Sequence, residues 1–259
     1  MKKIINLLCM LLFINLLILG NLLISKYNNN LHLLPISYAK TSTRSNDNYN
    51  LIIKILKDTN KNNLIKYAEY VDLNIVESIP NDSENKIAFV LSLPQKVSFI
   101  AIYEKISNDK YKYQCSVDNL ASINNFYYYN DFLVVEQTDS NSSTDFNKRE
   151  FFEIFSKKDG KYISVFTKNI YSEKLIKDTS TQDTNPNIFK DIEISSIDYL
   201  EGDIARVLCI TTLTRYNGIY SPLTSSYEFT EIEKTTKKEI YQWNREKEIF
   251  SIVSNLEYK

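Results

Sequence analysis

The chain predicts a mainly β fold, α+β overall, with two short N-terminal helices packed on an antiparallel, meander-like twisted sheet or sandwich. Three observations predict it. Apolar residues recur at helical spacing only between residues 49 and 73. From about residue 74 the period falls to two, or merges into continuous apolar runs. An apolar strand followed by an aromatic hairpin then occurs three times, in a chain of 259 residues with 19 Tyr and 13 Phe but only 4 Gly and 5 Pro. A chain of this length buries roughly 70% of its unfolded surface, and aromatic side chains are expected to dominate that burial.

The order begins with a leader. Behind Lys2 and Lys3, Ile4 to Ile24 gives 21 residues without a charge, interrupted only by Asn6, Asn15 and Asn21. A helix of that length crosses a bilayer. Downstream, Pro35 breaks the run, and Ser37 and Ala39 supply the small residues of an export cleavage site in "PISYAK". Two outcomes stay open: cleavage after Ala39, or an uncleaved anchor through residues 4–24. Under either, the lysines hold the N-terminus in the cytoplasm and the rest of the chain is expected outside, secreted or anchored with its C-terminus out. Cys9 follows "NLL" and lacks the small residue that precedes a lipidated cysteine. Residues 40–48, mostly "TSTRSNDN", are a polar tether.

A single β-rich domain is expected over 49–259. Leu51, Ile52, Ile55 and Leu56 form one helical stripe, and Leu64, Ile65, Ala68 and Val71 form a second after "KDTNKNN". Both stripes are too small to stand alone, so they dock onto the sheet. In "YKYQCSV", Tyr111, Tyr113, Cys115 and Val117 share one face of a half-exposed strand. "IAFVLSL" from 87, "FLVV" from 132 and "IARVLCI" from 204 are strands covered on both faces. The hairpins "FIAIYEKISNDKYKYQCSV" from 99, "FFEIFSKKDGKYISVF" from 151 and "KEIYQWNREKEIFSIV" from 238 follow them. Expected cross-strand partners are Tyr103 with Tyr111, Phe155 with Tyr162, and Trp243 with Phe250. "TDSNSSTDFNK" from 138 and "KDTSTQDTNPN" from 177 are surface loops.

Over residues 80–255 these strand-plus-hairpin units resemble the FG-GAP and VCBS-type β-repeats of secreted proteins from low-GC Gram-positive bacteria. The resemblance implies a propeller-like arrangement, here incomplete because three units are fewer than the four blades that close one. Those repeats carry an acidic calcium loop ahead of the apolar strand. This sequence has only "NDSENKI" at 81 and "YLEGDI" at 199 in that place, so no calcium site is expected.

The composition excludes several chemistries. His32 is the only histidine and lies in the leader, which removes imidazole-based nucleophilic catalysis and His-containing zinc sites from the folded part. Gly160, Gly202 and Gly218 are not spaced to cradle a phosphate. No Lys/Arg cluster tracks a nucleic-acid backbone. No cofactor and no metal is expected. Among carboxylates, Glu136 and the pair Glu201 and Asp203 stand at strand ends, where a glycosidase would need two acids across a cleft. Cys115 and Cys209 form either one disulfide or two buried thiols.

The remaining lead is "FYYYND" at 126–131. Neighbouring strand residues point to opposite faces, so at least one of Tyr127, Tyr128 and Tyr129 is expected to look outward, as a platform for a sugar ring or a protein partner. The expected function is non-enzymatic binding of an envelope protein or cell-wall polymer. The alternatives are a secreted carbohydrate-active enzyme using two carboxylates and a structural envelope protein.

Overall fold

The computed structural model describes residues 33–35, 46–76, 78–80, 86–93, 97–107, 110–139, 148–177 and 188–258, with side chains from residue 48 onward. The apolar leader, His32, the Ser37/Ala39 cleavage site, most of the tether and the centres of the two polar loops lie outside them. Among the described residues, no helix is long and apolar enough to cross a membrane.

The first stripe forms helix α1 (Asn46–Asp58) and the second a 3-10 helix (Asn62–Tyr70). Asn60 ends α1 at φ 58°, a conformation that asparagine tolerates better than most residues. The Lys61 N–H then reaches the Leu56 carbonyl at 2.7 Å, and the Asn60 N–H reaches that of Lys57 at 3.1 Å. These bonds close the orphaned end of the helix and turn the chain into the next segment.

The described residues form thirteen strands in two antiparallel sheets, with the first strand before the helices and the other twelve after them. The first has the order β1-β5-β4-β3-β2, from β1 (Leu33–Pro35), β2 (Asp72–Val76), β3 (Lys86–Leu93), β4 (Val97–Ser107) and β5 (Lys110–Leu120). The second is an eight-stranded meander in which every strand pairs with the next. It comprises β6 (Ser122–Tyr129), β7 (Phe132–Asp139), β8 (Lys148–Lys158), β9 (Lys161–Lys177), β10 (Ile188–Leu200), β11 (Arg206–Ser221), β12 (Ser226–Asn244) and β13 (Ile249–Tyr258). Consecutive antiparallel strands run through β3–β5, β7–β9 and β11–β13, the last two sets within the one continuous meander. No barrel closes.

Three apolar cores separate the layers. In the first, Leu51, Ile55 and Leu56 of α1 pack on Ile87, Phe89, Leu91 and Tyr103. In the second, the opposite face of the same sheet, with Ala88, Ile100 and Val117, meets Phe126, Leu133 and Val135. The third joins Phe132, Val134, Phe152 and Ile154 to Val207, Cys209 and Phe250. Strands β9 and β10 pair only through Tyr171–Lys177 and Ile188–Ile194. Beyond that seam they part, and β6–β9 face β10–β13 across the third core, with Phe132 edge-on to Trp243 at 4.9 Å and Phe166 to Tyr241 at 4.6 Å.

Four sequence expectations need correction. Tyr111 and Tyr113 pack in the first core, whereas Cys115 and Val117 lie in the second. A bulge divides them: Ile102 pairs with Cys115 and Tyr103 with Tyr113, which leaves Gln114 as the extra residue and turns the strand over. Tyr103 therefore faces Tyr113 rather than Tyr111. Phe155 pairs with Ser164 rather than Tyr162, because the two-residue turn at Asp159 (φ 50°) and Gly160 (φ 76°) sets Lys158 opposite Lys161 and Lys157 opposite Tyr162. Trp243 does pair with Phe250. Strands β3 and β7 are covered on both faces, but β11 is covered on one: Val207 and Cys209 are buried while Leu208 and Ile210 are half-buried. Nothing in the described layers packs on its other side as the helices do on the first sheet.

Candidate functional site

At one end of the second sheet a cleft of about 750 Å³ opens where the β6–β7 turn, the ends of β8 and β12, and the β10–β11 loop converge. It combines aromatic, cationic and hydroxyl- or carboxylate-bearing residues. Asn130, at φ 50°, makes the tight turn that places Asp131 beside Phe132 on the lining. Phe132 is held from behind by Trp243 and Phe250, so the floor of the cleft is part of the third core.

One wall is a continuous chain of contacts. Lys86 of β3 stands 5.1 Å from the centre of the Tyr128 ring, within cation–π range. The Tyr128 hydroxyl shares a 2.6 Å hydrogen bond with that of Tyr162, and Tyr162 lies opposite Lys157 across the β8–β9 hairpin. The Tyr128 N–H donates to the Pro80 carbonyl at 2.9 Å, which fixes the backbone behind the ring. Burial raises the pKa of the Cys115 thiol, and Lys157 and Lys86 both act against that rise, so both ammonium charges project into the same neighbourhood.

The β10–β11 loop supplies Gly202, Asp203, Ile204 and Ala205 to the lining. Tyr129 clamps it: its hydroxyl lies 3.0 Å from the carbonyls of Leu200 and Arg206 and accepts the Arg206 N–H at 3.1 Å. The Trp243 N–H donates to the Ala205 carbonyl at 3.0 Å, fastening the loop to β12. Arg206 reaches back to the Glu201 carbonyl at 3.2 Å. The loop is thus tied at both ends while Asp203 stays exposed.

The tyrosine triplet is split between two cores and forms no outward platform. Tyr128 is buried at 7% exposure and faces the second core, with its hydroxyl edge on the cleft. Tyr127 and Tyr129 are half-buried against the third. The Tyr127 hydroxyl shares a 2.9 Å bond with Tyr199 and donates to Glu136 at 3.3 Å, which gives that carboxylate a local role away from the cleft. Burial raises the pKa of both Tyr127 and Tyr199. Cys115 and Cys209 are free, buried thiols in different cores. Among the described residues no group of His, Cys, Asp and Glu could hold a metal ion.

Of the acids singled out in the sequence, only Asp203 lines the cleft; Asp131 joins it from the β6–β7 turn. Lys86, Lys157, Trp243 and Arg245 escaped sequence reasoning as site residues because they come from three distant parts of the chain, β3, β8 and the end of β12 with the turn after it, which meet only in the folded molecule. A scan against models of known families, a search of the curated proteins and a search of the solved structures each gave no match.

Proposed function

We propose that this protein is a non-enzymatic binding module of the cell envelope that holds a segment of a hydroxyl-rich polymer in this cleft. The observation that carries the reading is the meeting of Trp243, Phe132 and Tyr162 with polar groups of both signs in one open cavity. Aromatic faces take up the apolar faces of sugar rings, and the surrounding side chains hydrogen-bond to hydroxyls. Export is part of the proposal and is supported by Lys2, Lys3 and the uncharged run from Ile4 to Ile24. The kinship with FG-GAP and VCBS-type repeats is also part of it, supported by the strand-plus-hairpin order of β3–β5, β7–β9 and β11–β13.

Co-sedimentation with purified bacterial wall material tests the binding. The full chain is expected to pellet with the wall. Ser156→Phe, which places a benzyl group in the lining, is expected to stay in the supernatant, and Leu223→Ser, at a residue 98% exposed in the β11–β12 turn and outside the cleft lining, is expected to pellet normally. Equal retention of all three, or of none, contradicts the proposal. Digestion of intact cells with an external protease tests the topology, and full protection of the chain would contradict export.

A second reading, hydrolysis of the bound polymer, is favoured by Asp131 and Asp203 lining the same cleft, since glycoside cleavage uses two carboxylates. Incubation with wall polymer separates the two readings. Shortened chains with the parent protein and intact chains with Asp203→Asn would establish the enzyme; intact chains with both support the binding module.

A further inference from the structure

Three basic side chains, Lys86, Lys157 and Arg245, line the cleft together with two carboxylates, Asp131 and Asp203. Several basic side chains elsewhere are tied to acids: Lys158 pairs with Glu248, Lys168 with Glu239 at 2.8 Å, and Arg215 with Asp191 through two bonds of 2.7 Å. On the lining, Lys157 and Arg245 are exposed and form no ion pair among the described residues. Lys86 adds a third positive charge to the wall that Lys157 occupies, its ammonium 5.1 Å from the centre of the Tyr128 ring.

Building on the polymer-binding reading above, we propose that the cleft selects an anionic glycan, one whose repeating unit bears a phosphodiester or a carboxylate. Lys157 and Arg245 take the charged groups, Lys86 reinforces the field on the wall with Lys157, and Trp243 with Tyr162 receives the sugar faces between them. Asp131 and Asp203 accept hydrogen bonds from hydroxyls and keep the chain from binding in a register that would set its anions against them. Phosphate and carboxylate present the same chemistry to these cations, and the choice between them is left to the ligand.

Three probes of similar chain length separate the possibilities: poly(glycerol phosphate), polygalacturonate and a neutral β-linked oligoglucan, titrated into the full chain. Both polyanions are expected to bind more tightly than the neutral chain, and the preference is expected to collapse as salt rises from about 0.05 to 0.5 M. Lys157→Gln combined with Arg245→Gln, both at exposed positions that the fold does not need, is expected to weaken polyanion binding about tenfold and leave the neutral chain within about twofold. Binding of one polyanion alone supports the inference and names the charged group. A neutral chain bound as tightly as the polyanions, or an equal loss on all probes in the double variant, overturns the charge selection and leaves the glycan reading standing. Failure of every probe overturns both.

Discussion

Asp58 has 4% of its surface exposed, yet it carries a carboxylate into the seam between α1 and the first sheet. Lys54 reaches it from one helical turn away at 3.2 Å, and the Tyr103 hydroxyl donates to it at 2.8 Å. A buried carboxylate that loses a donor bears most of its desolvation cost again, so Tyr103→Phe is expected to lower stability by about 1–3 kcal/mol in urea unfolding. A change of only a few tenths would show that the bond is replaced locally. The two thiols behave oppositely to reactive cysteines. Burial raises the pKa of both, and pushes that of Cys209 up to about 12 from an ordinary value of 9.0. The neutral form is the one the fold stabilises, so this contribution is complete below the unfolded value and is lost as pH climbs toward the folded one. Between about pH 9 and 11 the parent protein should lose up to about 1.4 kcal/mol per pH unit from Cys209, a component that Cys209→Ala lacks. Parallel pH curves for the two proteins in that window would contradict the burial argument.

Hairpins show at the scale of elements how much the sequence discloses. Helical spacing in 49–73, two-residue alternation after 74 and the charged turns between aromatic strands were all legible, and the helices and strands formed there. Register was less legible, because a single bulge at Gln114 sends Tyr113 and Cys115 to different cores without altering the alternation on either side. The signal that fixes Lys157 opposite Tyr162 was present as Asp159-Gly160, a dipeptide suited to a two-residue turn with both φ angles positive. Gly160→Ala adds a Cβ that meets nothing within 4 Å, so its cost is conformational alone, about 1 kcal/mol. Gly218→Ala is different in kind: its Cβ would stand 2.8 Å from the Ile188 carbonyl oxygen and 2.8 Å from the Phe229 ring, which closes over the glycine from β12. Thermal unfolding should therefore rank Gly218→Ala as the more damaging. The reverse order would mean that the pairing of β11 with β10 and β12 relaxes more readily than the backbone contact implies.

For the whole molecule, three cores stacked through two sheets make the end of the second sheet a place where distant parts of the chain meet. One tie across the third core is ionic. Lys168 of β9 holds Glu239 of β12 at 2.8 Å, with both side chains largely buried. Burial by itself would raise the Glu239 pKa, but the Lys168 hydrogen bond and charge outweigh it and hold the carboxyl below its usual range. Lys168→Met should cost about 3–5 kcal/mol by stranding that carboxylate, and Lys168→Met with Glu239→Leu should recover most of the loss in the same denaturation assay. The cleft was not legible because no sequence pattern states that β6–β9 and β10–β13 face one another. The densest aromatic run did lie at its edge: Tyr128 is in the wall and Tyr129 clamps the loop that forms the rim. The chain contains one tryptophan, Trp243, on the cleft lining. Its emission therefore reports on this site alone. On titration with an anionic glycan, the account predicts a saturable change in Trp243 fluorescence that Ser156→Phe abolishes; an unchanged spectrum while the polymer demonstrably binds would place the binding surface elsewhere and contradict it.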